Sequence, residues 1–194
     1  MTPSEALDQL KTGNARFVSG TPTYKNFANR RASLVGGQSP FAIILACSDS
    51  RVPVETVFDQ EPGQIFVVRV AGNFVDLAGL GSIEYAVAVL KSSFILVLGH
   101  EQCGAVTAAI DYVKTGTTFP GHIQMLAETI APAATSSKSQ SGDWLHNAVV
   151  ENVRLTVSSL PTRSTIVGEA VSRGDLQVLG AVYDLGTGKV AFLA

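Results

Sequence analysis

The sequence predicts an α/β protein: a mostly parallel central sheet flanked by helices, with an N-terminal helical arm and a C-terminal antiparallel edge strand. Three observations predict it. The short apolar runs Ala42–Ala46 (AIILA), 65–70 (IFVVRV) and 94–98 (FILVL) are too continuous for strands with one wet face, and read as strands covered on both faces. Helical patterns separate and follow them, an alternation that belongs to layered α/β folds. Finally, residues 176–183 and 189–193 flank Asp184-Leu185-Gly186-Thr187-Gly188, and such flanks around a turn-rich segment read as a hairpin.

In chain order, the first element is a helix. Thr2 can cap it, Pro3 suits its first position, and Glu5 completes a capping box. Ala6, Leu7, Leu10, Phe17 and Val18 then keep helical spacing to about Val18. Residues 19–38 carry Gly, Pro, Asn and Arg without periodicity and read as an irregular arm. After the first two strands, helices are predicted over 80–90, 105–114, 123–130, 144–160 and 163–172. The stretch 131–142 (APAATSSKSQSG) is low in complexity and reads as a surface loop between two of them. No internal repeat or linker divides the chain. The expected organisation is one domain over 1–194, with a helix and arm over 1–37 and an α/β core over 38–194.

Composition narrows the function. Hydrophobic residues make up 46% of the chain and charged residues 15%, which excludes a disordered polymer. A net charge of −2 offers no basic surplus for a phosphate backbone, so nucleic acid is not an expected partner. No apolar run approaches the ~20 residues of a membrane-spanning helix. The acidic N-terminus lacks the apolar core of a signal peptide, so a cytoplasmic protein is expected. Two cysteines in 194 residues are no disulfide scaffold. A bridge, inert core thiols, a redox pair and metal ligands remain open for them.

Their placement favours the last. Open α/β sheets bind ligands beyond the carboxyl ends of their strands. The first strand runs into Cys47-Ser48-Asp49-Ser50-Arg51, and the third into Gly99-His100-Glu101-Gln102-Cys103-Gly104. Both cysteines therefore belong at one edge of the sheet. His100 and Cys103, three positions apart at a loop-to-helix junction, can face one point. Two thiolates and an imidazole favour zinc among common metals, and three ligands leave the fourth tetrahedral position open for chemistry. A disulfide leaves His100 unexplained. Asp49 and Arg51 can turn to the same side and pair, holding the carboxylate ionised. The arginine stands four positions after the cysteine, whereas phosphatase-like cysteine loops place it six after.

With those residues in view, the chain resembles the β-class carbonic anhydrases. The resemblance rests on Cys47-Ser-Asp-Ser-Arg51 followed by His100-x-x-Cys103-Gly104, and extends over residues 38–104 through Phe66-Val-Val-Arg69 and Ile83-Glu84-Tyr85-Ala86. It implies a lyase holding one Zn2+ per chain that interconverts carbon dioxide and bicarbonate by a zinc-bound hydroxide. Cys47, His100 and Cys103 match the family's zinc ligands, and Asp49 and Arg51 its catalytic dyad. Gln38, Phe66, Ala71, Tyr85 and Gly104 match substrate-pocket positions, with Gln38 usually supplied across a dimer interface. A homodimer or tetramer, in which N-terminal helices embrace the partner, is implied with it. Hydrolysis of carbonyl sulfide or carbon disulfide is an alternative on the same scaffold. A metal-free thiol protein and a non-catalytic zinc module are rivals of other classes.

One departure from the family is informative. A bicarbonate-inhibited subgroup carries Trp and Gly where this chain has Ile44 and Ala46, although Arg69 is present. No off-site bicarbonate pocket is therefore expected. Two thiolates also make zinc a weaker Lewis acid than three histidines do, so activity is expected to rise into the alkaline range. His122 and His146 are candidate proton shuttles near neutral pH.

Overall fold

Side-chain alternation along the strands sorts the core onto the two faces of the sheet. The computed structural model describes residues 1–23 and 27–193. Its strands are β1 (Ala42–Ala46), β2 (Ile65–Arg69), β3 (Phe94–His100), β4 (Gln177–Tyr183) and β5 (Val190–Phe192). Its helices are α1 (Pro3–Val18), α2 (Phe27–Leu34), α3 (Val54–Val57), α4 (Leu77–Ala88), α5 (Gly104–Thr115), α6 (Ile123–Ser137), α7 (Trp144–Arg163) and α8 (Thr165–Ser172). The sheet order is β2-β1-β3-β4-β5. Its first three pairings are parallel, and β4 with β5 is antiparallel, as the sequence predicts.

Ile43, Leu45 and Cys47 of the first strand and its exit face the layer of α4–α8, together with Ile95 and Val97. The alternate residues Ala42, Ile44 and Ala46 face Ala6 and Leu10 of α1 and Val54, Val57 and Phe58 around α3. Period-two alternation thus places Cys47 on the opposite face from Ile44 and Ala46. Both of those residues are fully buried.

The N-terminal capping box forms as expected: Glu5 N–H donates to Thr2 Oγ1 at 3.3 Å and Thr2 N–H to Glu5 Oε2 at 2.7 Å. Helix α1 crosses α3 closely enough that a Cβ on Gly13 would lie 1.8 Å from the Phe58 carbonyl oxygen. Buried Asn14 beside it donates to the carbonyls of Val57 and Gly188 and accepts from Val190 N–H, tying α1 to the terminal hairpin.

Three expectations need correction, and one element was not predicted. Residues 27–34 of the expected irregular arm form α2, since a run with two alanines, two arginines and a leucine suits a helix without needing apolar periodicity; residues 24–26 lie outside the described residues. The segment expected as a loop over 131–142 is helical to Ser137. Its small residues are packing surface: Ala127, Ile130, Ala133, Ala134 and Ser137 make a buried stripe at helical spacing. The Ser137 hydroxyl donates back to Ala133 O at 2.7 Å, and Trp144 Nε1 to Ala134 O at 2.9 Å. Strand β2, expected to be covered on both faces, is an edge strand whose Phe66, Val67 and Val68 are half-buried and whose Arg69 is exposed. Short α3 has no counterpart in the predicted elements.

Candidate metal centre and active site

Two strand ends and one helix start build the site. β1 ends at Ala46, so Cys47 is the first residue beyond the sheet, and the β1–β3 register pairs Ala46 with Leu98. β3 runs two residues further and delivers His100. The chain then reverses through Gln102 at φ 55°, and Cys103 becomes the N-cap of α5. Ligand atoms of Cys47, His100 and Cys103 all lie within 4.8 Å of one another, and all three residues are buried. These three predicted residues are therefore brought together.

The surroundings prepare that trio for a cation. His100 Nδ1 lies 2.8 Å from the Glu101 carbonyl, which can only accept, so Nδ1 carries the proton. In the neutral ring Nε2 is then a bare lone pair, and it is fully buried with no hydrogen-bond partner among the described residues. A buried acceptor without a partner is costly, and a metal ion satisfies it. Two sulfurs and one imidazole nitrogen suit zinc. The Cys103 thiol donates towards Cys47, which pulls the Cys47 thiol down and pushes Cys103 up, with burial raising both. Burial works against charging His100, but the nearby Cys47 thiolate, the Glu101 carbonyl and Asp49 outweigh it and raise its pKa.

Asp49 is held from two directions. Arg51 Nε donates to Oδ1 at 2.9 Å and Arg51 Nη2 to Oδ2 at 2.7 Å, while the Arg51 backbone N–H also meets Oδ1 at 2.9 Å. The Arg51 guanidinium holds the Asp49 carboxyl well below the usual carboxylate range, with His100 adding to the effect. Asp49 Oδ2 stands 3.8 Å from His100 Nε2. The main chain of the same loop is fastened by Arg69, whose Nε donates to Cys47 O at 2.9 Å and Nη2 to Asp49 O at 2.5 Å.

The pocket residues divide into two groups. Ala71 lies two residues beyond the end of β2, and its neighbour Gly72 donates a backbone hydrogen bond to Cys47 Sγ at 3.3 Å. Gly104 opens α5 beside Cys103, and an added Cβ there would find open space, clear of the rest of the described residues beyond its own helix and chain neighbours. Phe66 and Tyr85 lie together elsewhere, with ring centroids 6.4 Å apart and Tyr85 48% exposed. They border the edge strand, where a groove lined by Phe66, Val68, Arg69, Phe74 and Ser82 includes none of the metal-ligand candidates. Gln38 is exposed and precedes β1, whose whole length separates it from Cys47.

The remaining histidines also part company. His122 is exposed at the start of α6. His146 on α7 reaches Glu101, with Nδ1 2.7 Å from Oε1. The sequence reading missed three contributors: the grip of Arg69 on the loop, the Gly72 N–H, and Asn152, which donates to the Gly72 carbonyl at 2.7 Å. The only sequence signal for Asn152 is an amide in the apolar stripe of a helix.

Known proteins resemble this chain in sequence and in fold. Residues 42–190 match the family model described as carbonic anhydrase. The chain is 41% identical over 188 residues to carbonic anhydrase 2 of Mycobacterium tuberculosis, covering 96% of this chain and 91% of that one. It is 40% identical over 189 residues to a carbonic anhydrase of Mycolicibacterium smegmatis, covering 97% and 92%. Among solved structures, one of two tetrameric β-carbonic anhydrases of Sordaria macrospora superposes with a TM-score of 0.77 at 26% identity, covering 98% of both chains. A Coccomyxa β-carbonic anhydrase in complex with acetazolamide gives 0.74 at 30% identity, covering 98% of this chain and 85% of that one.

Proposed function

Since the chain is an enzyme belonging to the β-carbonic anhydrase family, we propose that it catalyses the reversible, zinc-dependent hydration of carbon dioxide to bicarbonate and a proton. One observation carries the proposal. A buried imidazole nitrogen without a hydrogen-bond partner among the described residues lies with two buried sulfurs, beside a carboxylate held in its ionised form by Arg51.

Cys47, His100 and Cys103 would hold one zinc ion per chain. When bound, zinc supplies a Lewis acid that brings the pKa of water towards about 7. The residues of the chain do the rest. Asp49, acceptor-only while Arg51 keeps it ionised, takes a hydrogen bond from the attacking water and fixes the direction of its lone pair. Arg51 occupies both carboxylate oxygens of Asp49, which holds the acid beside the ligand cluster without adding it to the ligands. Gly104, where an added Cβ would find open space, leaves room beside Cys103 for a small, linear, uncharged substrate.

Gln38, Phe66 and Tyr85 enter the site only if a second copy of the chain supplies them across the edge of β2. We therefore propose a homodimer, or a tetramer built from dimers. The tetrameric Sordaria macrospora neighbours support that reading. No helix among the described residues is long and apolar enough to cross a membrane.

The test pairs metal analysis with the initial rate of carbon dioxide hydration, run beside a carbonyl sulfide assay. One equivalent of zinc per chain and fast hydration are expected. Full activity in a metal-free preparation, or turnover confined to carbonyl sulfide, overturns the proposal.

A further inference from the structure

Asn152 is an odd occupant of its helix. The buried stripe of α7 runs Ala148, Val149, Asn152, Val153, Thr156 and Leu160, and Asn152 is 4% exposed within it. A buried amide is costly unless it is hydrogen-bonded. Its Nδ2 finds the Gly72 carbonyl oxygen at 2.7 Å, across 80 positions of sequence. The Gly72 N–H in turn donates to Cys47 Sγ at 3.3 Å.

The two bonds belong to adjoining peptide planes that meet at the Gly72 Cα. Gly72 has φ +83°, and Asn73 after it has φ +46°, so this segment is no continuation of the ladder. Its aim must be set from outside. Ile130 and Ala105 confine it on one side, since a Cβ on Gly72 would lie 2.4 Å from Ile130 Cδ1 and 3.2 Å from Ala105 Cβ. Asn152 holds its carbonyl. The helix can approach because the strands beneath lack side chains at Gly99 and Gly180, where a Cβ would lie 2.6 and 2.5 Å from the Val153 methyls.

We propose that Asn152 is a positioning residue for the metal centre, holding the Gly72 segment so that its N–H is aimed at the Cys47 sulfur. An N–H donated to a thiolate withdraws charge that the sulfur otherwise gives to the metal, and it fixes the sulfur's direction. The inference rests on Cys47 being a metal ligand, so its test separates the two.

The experiment loads the full-length protein with cadmium-113 and looks for scalar coupling between cadmium and the Gly72 amide proton, which passes only through an N–H···S–Cd path. Zinc affinity is measured in parallel by chelator competition. In the wild type, coupling at Gly72 is expected. Asn152→Leu and Asn152→Ala should lose it and bind zinc about 10-fold or more weakly, the usual range for groups that orient a metal ligand. Thr156→Val, one turn along the same stripe, should keep both properties. Wild-type protein that binds no cadmium sinks the metal-ligand reading itself. Cadmium bound without Gly72 coupling in the wild type overturns the proposal whatever the variants do. Coupling and affinity retained in Asn152→Leu or Asn152→Ala would leave Asn152 a packing residue and overturn it too.

Discussion

Arg51 grips both carboxylate oxygens of Asp49, through Nε at 2.9 Å and Nη2 at 2.7 Å, while the same carboxylate stands 3.8 Å from the imidazole of His100. The guanidinium fixes the rotamer as well as the charge of the acid. A planar fork meeting a planar carboxylate leaves little torsional freedom. The acid is thereby kept beside the ligand cluster without joining it.

Arg51→Ala should therefore retain its zinc and lose turnover by about 100-fold or more, the range over which positioned acid–base groups act. Metal content and kcat measured on the same sample check this. Equal hydration rates would remove Arg51 from the mechanism.

The pair also has a pH signature. The folded-state pKa of Asp49 is depressed, chiefly by its hydrogen bonds from Arg51. Its contribution to stability is therefore present above the unfolded-state value of about 3.9 and is lost as pH falls through the lower folded value. The stability difference between wild type and Arg51→Ala should be constant above about pH 5 and shrink below about pH 4. Denaturant titrations across that range read it directly; a gap that widens on acidification contradicts the assignment.

Arg69→Met should loosen the loop from Cys47 to Arg51, because it removes the donors to Cys47 O and Asp49 O. A stability loss of about 1 kcal/mol is expected, as these bonds are partly open to solvent. The fall in kcat should exceed what that loss explains. Chemical denaturation and steady-state kinetics together decide.

Cys103→Ser replaces a thiolate by a hydroxyl, a poor zinc ligand. Zinc content should fall well below one equivalent after gel filtration, and thermal stability should drop to that of chelator-treated wild type. Full zinc occupancy in the variant would exclude Cys103 as a ligand.

Gly13→Ala tests packing against propensity. Alanine favours a helix interior by about 1 kcal/mol over glycine. The new Cβ, however, would stand 1.8 Å from the Phe58 carbonyl oxygen, a backbone atom. Net destabilisation of about 2 kcal/mol or more is expected, as overpacking costs exceed the propensity gain. A stabilised variant in urea unfolding would show that α1 sits elsewhere.

Much of this was legible in residue order. Continuous apolar runs announced the parallel strands, and the capping box of Thr2 and Glu5 announced α1, because both are signals carried by neighbours along the chain. Cys47, His100 and Cys103 could be placed together for a related reason: parallel strands all end at one edge, so residues just past two strand ends must be close. Helix α6 was misread at Ala131 because small residues look like loop until the helices they pack against are known. The partners of Gly72 and of Arg69 lie 80 and 20 or more positions away, and no periodicity links them. Which hydrogen bond a buried donor makes depends on what the folded chain brings within 3 Å. The seating of α7 over Gly99 and Gly180 set that for Asn152, and the packing of the 47–51 loop against the end of β2 set it for Arg69.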